Sequence, residues 1–269
     1  MDNTLLTYSA VFLYLVCSAL LFFRLKRPAE VSGAMTKKQI LLIGAGGLIL
    51  HGMALYSGMI TAAGINLGFY NAMSLVSLFI TLFALTASWR HPVDMLAIIL
   101  LPISAITILF DISGSSSHLL PAGSSNALIF HILSSIVAYS LLALAALQAI
   151  FLSIQSRFLH AHQPGGIIRL MPPLKNMEVL LFEIIVAGFI ALTISLGSGL
   201  IFLENMFEQQ LVHKTILSII AWFVFLILLI GHWKLGWRGR TAVRWTLSGF
   251  ASLMLAYFGS KFVIEILLV

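Results

Sequence analysis

The chain has 269 residues, of which 60% are hydrophobic and only 9% charged, and its 15 Lys and Arg against 9 Asp and Glu leave a net charge of +6. A water-soluble domain carries roughly a quarter charged residues, so this chain cannot clothe a water-facing surface and belongs in lipid. The basic excess does not mark a nucleic-acid binder, because the cations are confined to short gaps between apolar runs, a pattern that belongs to membrane topology.

Eight apolar runs follow one another at about 5–23, 40–60, 69–88, 93–110, 126–156, 178–202, 215–233 and 243–268. Each is near or above the roughly 20 residues that a spanning helix needs. They are continuous rather than alternating, which predicts helices and not barrel strands. The first run holds the single Cys17, so no disulfide framework, zinc motif or CxxCH haem-attachment site is expected. Asp2 precedes this run and Arg24, Lys26 and Arg27 follow it, the order of a retained helix with its N-terminus outside rather than of a cleaved signal peptide. The second run contains Gly44-Ala45-Gly46-Gly47, which is no dinucleotide fingerprint and predicts close helix packing. The fifth run is the longest and is predicted to extend a turn or two out of the bilayer.

The loop at about 157–177 carries His160, His162, Pro164-Gly165-Gly166 and Pro172-Pro173 and reads as a basic loop ending at a helix start. Glu178 and Glu183 open the sixth run; pairing with inner-loop arginines and a favourable place near the helix N-terminus are expected for them. The seventh run lies between His213 and His232, 19 residues and therefore about 28 Å apart on a straight helix. That is roughly the thickness of a bilayer core, so these two histidines face opposite sides and no single small cofactor is held by both. The run stops at a basic knot, Gly236-Trp237-Arg238-Gly239-Arg240. At the far end of the last run Lys261 and Glu265 are spaced to pair at i, i+4.

The loops test this arrangement. Arg24, Lys26, Arg27, Lys37, Lys38, Arg90, Arg157, Arg169, Lys175, Lys234, Arg238, Arg240 and Arg244 fall on one side, 13 of the 15 cations, and only Lys214 and Lys261 fall on the other. The positive-inside rule then predicts a polytopic, all-α bundle of eight transmembrane helices with both termini on the outer, periplasmic side. A single integral membrane domain over 1–269 is expected, without a soluble domain.

Histidine is where chemistry is expected. An ionisable residue inside a membrane is a functional candidate by default, against the alternative of a neutral imidazole bonded to a neighbouring helix. His51 lies 13 residues beyond Lys38, about 20 Å from the inner edge, and His131 lies five residues into its run, about 8 Å from the outer edge. These two share a level in the outer half, with His213 at the outer mouth, His118 in the outer loop and His232 alone at the inner edge. Imidazole is a common axial ligand of haem iron, and a helix bundle with inward histidines is a host for a flat, apolar group. The aromatic residues, 11% of the chain, are expected mostly to face lipid or core, with stacking of Trp222 on such a group as the lesser alternative. The pair His160 and His162 lacks neighbouring carboxylates or cysteines and is not read as a metal site. No Ser-His-Asp, paired-carboxylate or phosphate-loop arrangement is visible.

Five segments in order complete the reading: HGMALYSG with GINLGFYNAMSLVSLFI, then HILSSIVAYSLLALAALQAIFL, then MPPLKNMEVLLFEIIVAGFIALTISLGSGL, then HKTILSIIAWFVFLILLIGH, and finally GWRGR with YFGSK. In that order the chain resembles the cytochrome c assembly family, the haem-handling membrane proteins of the CcsA, ResC and HemX type, and within it the shorter bacterial inner-membrane YpjD branch. The resemblance covers about 50–269. It implies transfer of haem across the membrane and its presentation for attachment to apocytochrome c outside. By position it implies that His51 and His232 are the helix pair for a haem within the bilayer and that His131 is the first outer histidine. Depth alone would pair His51 with His131, with His213 near the mouth, and both pairings stand.

Two parts of the family pattern are missing. Its tryptophan-rich loop is replaced by LENMFEQQLV at 203–212, and no histidine follows the last run. The expectation is therefore a haem-binding or haem-handling inner-membrane protein related to cytochrome c maturation, without full synthetase activity or bond chemistry of its own. Its partners would be haem, the lipid bilayer and other membrane proteins of cytochrome c maturation. The alternatives are a haem-free transporter or partner subunit that keeps the fold, and a regulator of haem synthesis.

Overall fold

A computed structural model of the chain describes residues 3–26, 35–61, 64–113, 119–121, 124–161, 171–202 and 209–259. These residues are overwhelmingly helical, and seven of the helices are long and apolar enough to cross a membrane. Two compact units emerge, Met1–Gly123 with Arg169–Pro172 and Ser124–Ile168 with Pro173–Val269.

The first unit holds α1 (Asn3–Lys26), α2 (Lys37–Met59), α3 (Phe69–Arg90) and α4 (Asp94–Ser113). α2 starts at a capping box that the apolar pattern missed by three residues. Thr36 Oγ1 accepts the Gln39 N–H at 3.3 Å, and Gln39 Oε1 accepts the Thr36 N–H at 2.8 Å, which satisfies two of the donors every helix start leaves open. Lys37 then pairs with Asp94 at 2.6 Å and donates to His91 O at 3.1 Å, fastening the start of α2 to the α3–α4 turn.

At the other end of these helices the chain forms a small antiparallel sheet of β1 (Ile60–Thr61), β2 (Gly64–Asn66) and β3 (Leu119–Pro121), in the order β1-β2-β3. Its register pairs Ile60 with Ile65, and Ile65 with Leu120. Strands of two or three residues are too short to show the period of two by which strands are recognised, so the all-α expectation could not include them. Gly64 sits at φ 134°, a conformation open to glycine and costly to other residues.

The second unit holds α5 (Asn126–His160), α6 (Leu174–Phe202), α7 (Gln209–Leu235) and α8 (Gly239–Met254), which continues as a π-helical turn, Leu255–Gly259. α5 is the longest, as expected. Its 35 residues span about 52 Å, well beyond a bilayer core of about 30 Å. α6 begins immediately after Pro172-Pro173, where a missing N–H costs nothing. The eighth run is helical from Gly239 and buries Ala242, Val243, Thr246, Gly249 and Leu253 on one face. Residues 260–269, including the expected Lys261–Glu265 pair, lie outside the described residues.

Packing in both units follows from the absence of a hydrophobic drive between helices in lipid: they associate where small residues let backbones approach. In the first unit Gly44 and Gly47 face α1, so that an added Cβ would lie 2.9 Å from Cys17 Sγ and 2.8 Å from the Tyr14 ring. The glycine-rich stretch is thus a packing motif. In the second unit Gly188 receives Leu142 and Gly249 receives Phe225 in the same way, each at 2.7 to 2.8 Å from a would-be Cβ. Large apolar side chains such as Phe12, Ile49, Ile190 and Phe223 point outward, as lipid tails require. Gly47→Ala is expected to weaken the α1–α2 contact by about 1–3 kcal/mol. Gly46→Ala, whose added carbon would meet only Leu13 at 3.5 Å, is expected to change little. Denaturant unfolding in detergent measures the difference between them.

Candidate functional site

The three described candidate histidines occupy two kinds of environment. His51, on α2, is fully buried. Its Nδ1 lies 3.2 Å from the Tyr14 hydroxyl on α1 and its Nε2 lies 3.0 Å from Ser74 Oγ on α3. Tyr14 also meets the imidazole edge-on, with ring centroids 6.0 Å apart. Both ring nitrogens are therefore engaged, and in either tautomer one donates while the other accepts.

The network continues in both directions through the unit. The Asp111 carboxylate reaches the Ser74 hydroxyl, and Thr81 stands beside the Tyr14 hydroxyl. Thr81 Oγ1 bonds Ser104 Oγ at 2.6 Å, and Thr107 Oγ1 donates to Ser77 Oγ at 2.7 Å.

His131 lies in the second turn of α5, half-buried against α6. Its Nδ1 is 3.0 Å from Ser195 O and 3.1 Å from Ser198 Oγ. A main-chain carbonyl can only accept, so Nδ1 carries the hydrogen and Nε2 presents its lone pair. No described residue bonds to that Nε2. Ser135 secures the contact from the other side: its Oγ donates to His131 O at 2.7 Å and meets Ser195 Oγ at 2.6 Å.

His232 repeats this arrangement at the end of α7. Its Nδ1 lies 2.9 Å from Trp237 O, which again places the hydrogen on Nδ1 and leaves Nε2 without a partner among the described residues. Phe182 of α6 stacks flat on the imidazole, 3.5 Å between centroids and 14° between planes. The turn that supplies Trp237 O is tightly built. Gly236 and Gly239 take φ values of 65° and 51°, the left-handed region that glycine enters without penalty. The Trp237 N–H donates to Gly231 O at 3.1 Å, and the indole lies against Gly231 in the space a Cβ would need.

Glu178 completes the turn: its Oε1 accepts the Gly239 N–H at 2.7 Å. This corrects the expectation of an arginine partner for Glu178. The first N–H groups of α8 have no acceptor within their own helix, and a carboxylate at that end satisfies one of them with the favourable sign of the helix dipole. Glu178 and Phe182 stand at i and i+4 on α6, so one helical face holds both the turn and the imidazole.

His131 and His232 do not converge. Their contacts on α6, Ser195 and Phe182, are 13 residues apart, which is about 20 Å along the helix. They serve opposite ends of the second unit, whereas His51 belongs to the first. His213 lies in α7, but its side chain is outside the described residues, as are His118 and His162. Trp222 donates its Nε1 hydrogen to Thr193 Oγ1 at 2.9 Å and stacks on Phe189 at 5.4 Å. Sequence reasoning missed Tyr14, Ser74, Ser195, Ser198 and Phe182 as histidine partners, because they come from other helices and nothing in linear spacing marks them. Trp237 had a signal, its place in the glycine-flanked knot five residues after His232.

Comparison with known proteins shows the family. Residues 39–268 match the family model described as cytochrome C assembly protein. The chain belongs to the cytochrome c assembly family. Within it, the chain is 33% identical over 228 residues to the inner membrane protein YpjD of Escherichia coli K12, covering 82% of this chain and 84% of the relative. It is 34% identical over 140 residues to an uncharacterized 28.8 kDa protein of Azospirillum brasilense, covering 51% of this chain and 52% of that one. The cytochrome c biogenesis protein CcsA of Chlamydomonas reinhardtii is 28% identical over 152 residues, 56% of this chain and 42% of that protein. No solved structure matches the chain. Membership in the cytochrome c assembly family supports a role related to cytochrome c maturation. Together with the seven candidate spans it makes the chain a multi-pass protein of the bacterial inner membrane.

The two environments have different energetic weights. His51→Ala leaves two buried hydroxyls and a cavity in the first unit, and is expected to cost about 2–5 kcal/mol of stability. His232→Ala removes a half-buried ring whose Nε2 bonds no described residue, and is expected to cost about 1 kcal/mol. Thermal unfolding of the purified variants in one detergent checks the order.

Proposed function

We propose that this family member binds haem without covalent attachment and handles it for cytochrome c maturation, lacking full synthetase activity. The observation that carries this reading is the shared state of His131 and His232. In each, Nδ1–H is donated to a main-chain carbonyl and the Nε2 lone pair has no described partner. A metal-binding imidazole is commonly fixed in this way, with its second nitrogen bonded to a carbonyl that sets tautomer and ring angle. The residues therefore fit the group: either Nε2 is available to haem iron, and Phe182 lies beside the ring of His232 as an apolar wall. Haem would supply the iron and the porphyrin; the chain's residues hold and orient it.

The separation along α6 supports two different haem positions for His131 and His232, one toward each membrane face. His51 would become a third ligand only by releasing Ser74 or Tyr14. His213 is the candidate to join His131 at the outer mouth. Loss of the family's tryptophan-rich loop at 203–212 favours haem holding over presentation and attachment. A haem-free membrane partner subunit is the second reading, and the complete engagement of both His51 nitrogens is the observation that favours it.

Protein purified in detergent from haem-replete cells is expected to show a Soret band, or to acquire one on addition of haemin. His131→Ala and His232→Ala should each shift the band or lower its intensity, and the double variant should abolish it. A wild-type protein with no band before or after haemin addition eliminates the haem reading.

For topology we propose eight crossings with both termini outside, in one integral membrane domain, the basic ends of the helices facing the cytoplasm. The cation distribution supports this orientation. A reporter fused after Val269 should then be active only outside the cytoplasm, and a cytoplasmic signal would overturn the count of eight.

A further inference from the structure

The turn that fixes His232 also gathers positive charge. Lys234, Arg238, Arg240 and Arg244 are all exposed, and none of them makes a hydrogen bond, ion pair or ring contact with a described residue. In the first unit, by contrast, Arg24 donates to Met35 O, Lys37 pairs with Asp94, and Lys26 and Lys38 lie over the Phe22 and Trp89 rings. The carboxylate that reaches the turn, Glu178, already accepts the Gly239 N–H at 2.7 Å. Two guanidinium groups therefore flank Gly239 with no described carboxylate to receive them.

Their position is set by the same contacts that orient the imidazole. The hydrogen bond from His232 ends on Trp237 O, the carbonyl of the peptide group that leads into Arg238. Arg238 is extended, at φ −148° and ψ 177°, and Arg240 lies in the first turn of α8. Glycines at 236 and 239 and the Glu178 cap hold this backbone in one shape. Both cations thus belong to the turn whose Trp237 carbonyl fixes the imidazole of His232, a ring stacked on Phe182 and with no described partner at Nε2. A ligand that matches all of these features is apolar and flat, carries a metal, and bears carboxylates on one edge.

We propose that Arg238 and Arg240 bind the two propionate carboxylates of a haem whose iron takes Nε2 of His232. This rests on the haem reading above and assigns the orientation of the group: its charged edge toward the basic end of the helices and its apolar body between them. Guanidinium and carboxylate meet as a planar two-point pair, stronger than a neutral hydrogen bond. Phosphate headgroups of anionic lipids are the competing occupant of the same cations.

The test compares haemin with its dimethyl ester, in which both carboxylates are masked. The full-length protein and the variant Arg238→Ala/Arg240→Ala are placed in nanodiscs of zwitterionic lipid, and each ligand is titrated by Soret absorbance. The double substitution should weaken haemin binding at least about tenfold, the scale of charge-assisted hydrogen bonds, and leave the ester's affinity unchanged. Arg238→Lys/Arg240→Lys, which keeps the charge but not the planar fork, should fall between. Equal loss for both ligands, or no loss for haemin, overturns the assignment. So does an effect that appears only in nanodiscs containing phosphatidylglycerol, which identifies a lipid site. If wild-type protein gives no Soret band with either ligand, the underlying haem reading fails as well, a result distinct from an unselective variant.

Discussion

No water enters the interior of a bilayer, so every polar atom that these helices carry into it must find its partner on the protein. Among the described residues many hydroxyls meet the demand locally, by bonding the carbonyl three or four residues back: Ser140 to Ile136, Thr193 to Phe189, Thr246 to Ala242. Such bonds are contained within one helix and specify nothing about its neighbours. The remaining polar groups reach across. Tyr14, His51 and Ser74 tie three helices of the first unit, and Ser18 donates to Ile98 O at 2.7 Å in the same unit. In the second, Gln148 donates to Met177 O and Ser252 to Leu217 O. Because lipid tails are as apolar as Leu, these cross-links and the glycine contacts, rather than burial of apolar area, give each bundle its register.

The two kinds of contact depend on one another. Gly47 lets α2 approach the Tyr14 ring, and one turn further along α2 is His51, whose Nδ1 meets the hydroxyl of that same tyrosine. A larger residue at 47 would push apart a hydrogen bond that has no solvent substitute. Gly231 plays the corresponding part in the second unit: without a Cβ it receives the Trp237 indole, which fixes the carbonyl that His232 needs. Small residues are therefore conditions for the polar contacts as much as for close packing.

This explains what could be read from the sequence. Seven spans were legible because continuous apolar length is itself the physical requirement for crossing, and the glycine-rich stretch at 44–47 was legible because nothing else suits four small residues inside a spanning helix. The histidines were legible as exceptions to apolarity. Their partners were not, since Ser74, Ser195 and Phe182 are ordinary residues until helix packing brings them near. Helix starts were misjudged for a related reason. Thr36 and Gln39 lie before the apolar run that α2 continues, and α7 begins at Gln209, six residues before its run. Helix formation depends on capping and hydrogen bonding, whereas the apolar pattern reports only the lipid-exposed length. The role of Glu178 was missed because a carboxylate beside many arginines suggests an ion pair, while an unpaired helix-start N–H leaves no mark in the sequence.

The orientation of an imidazole distinguishes histidines that the sequence treats alike. His51 meets two hydroxyls, groups that donate or accept as needed, so its tautomer is free and both nitrogens are occupied. It behaves as a cross-link between helices. His131 and His232 each meet a main-chain carbonyl, which accepts only, so the hydrogen is confined to Nδ1 and the lone pair to Nε2. Holding in place a lone pair that bonds no described residue adds nothing to a bundle, whose stability would be served equally by a second hydrogen bond. It is useful to a ligand that brings its own electron-pair acceptor. What the neighbour can accept thus separates the histidines: the fixed Nε2 lone pairs lie along α6, at His131 and His232, and not at the most deeply buried histidine.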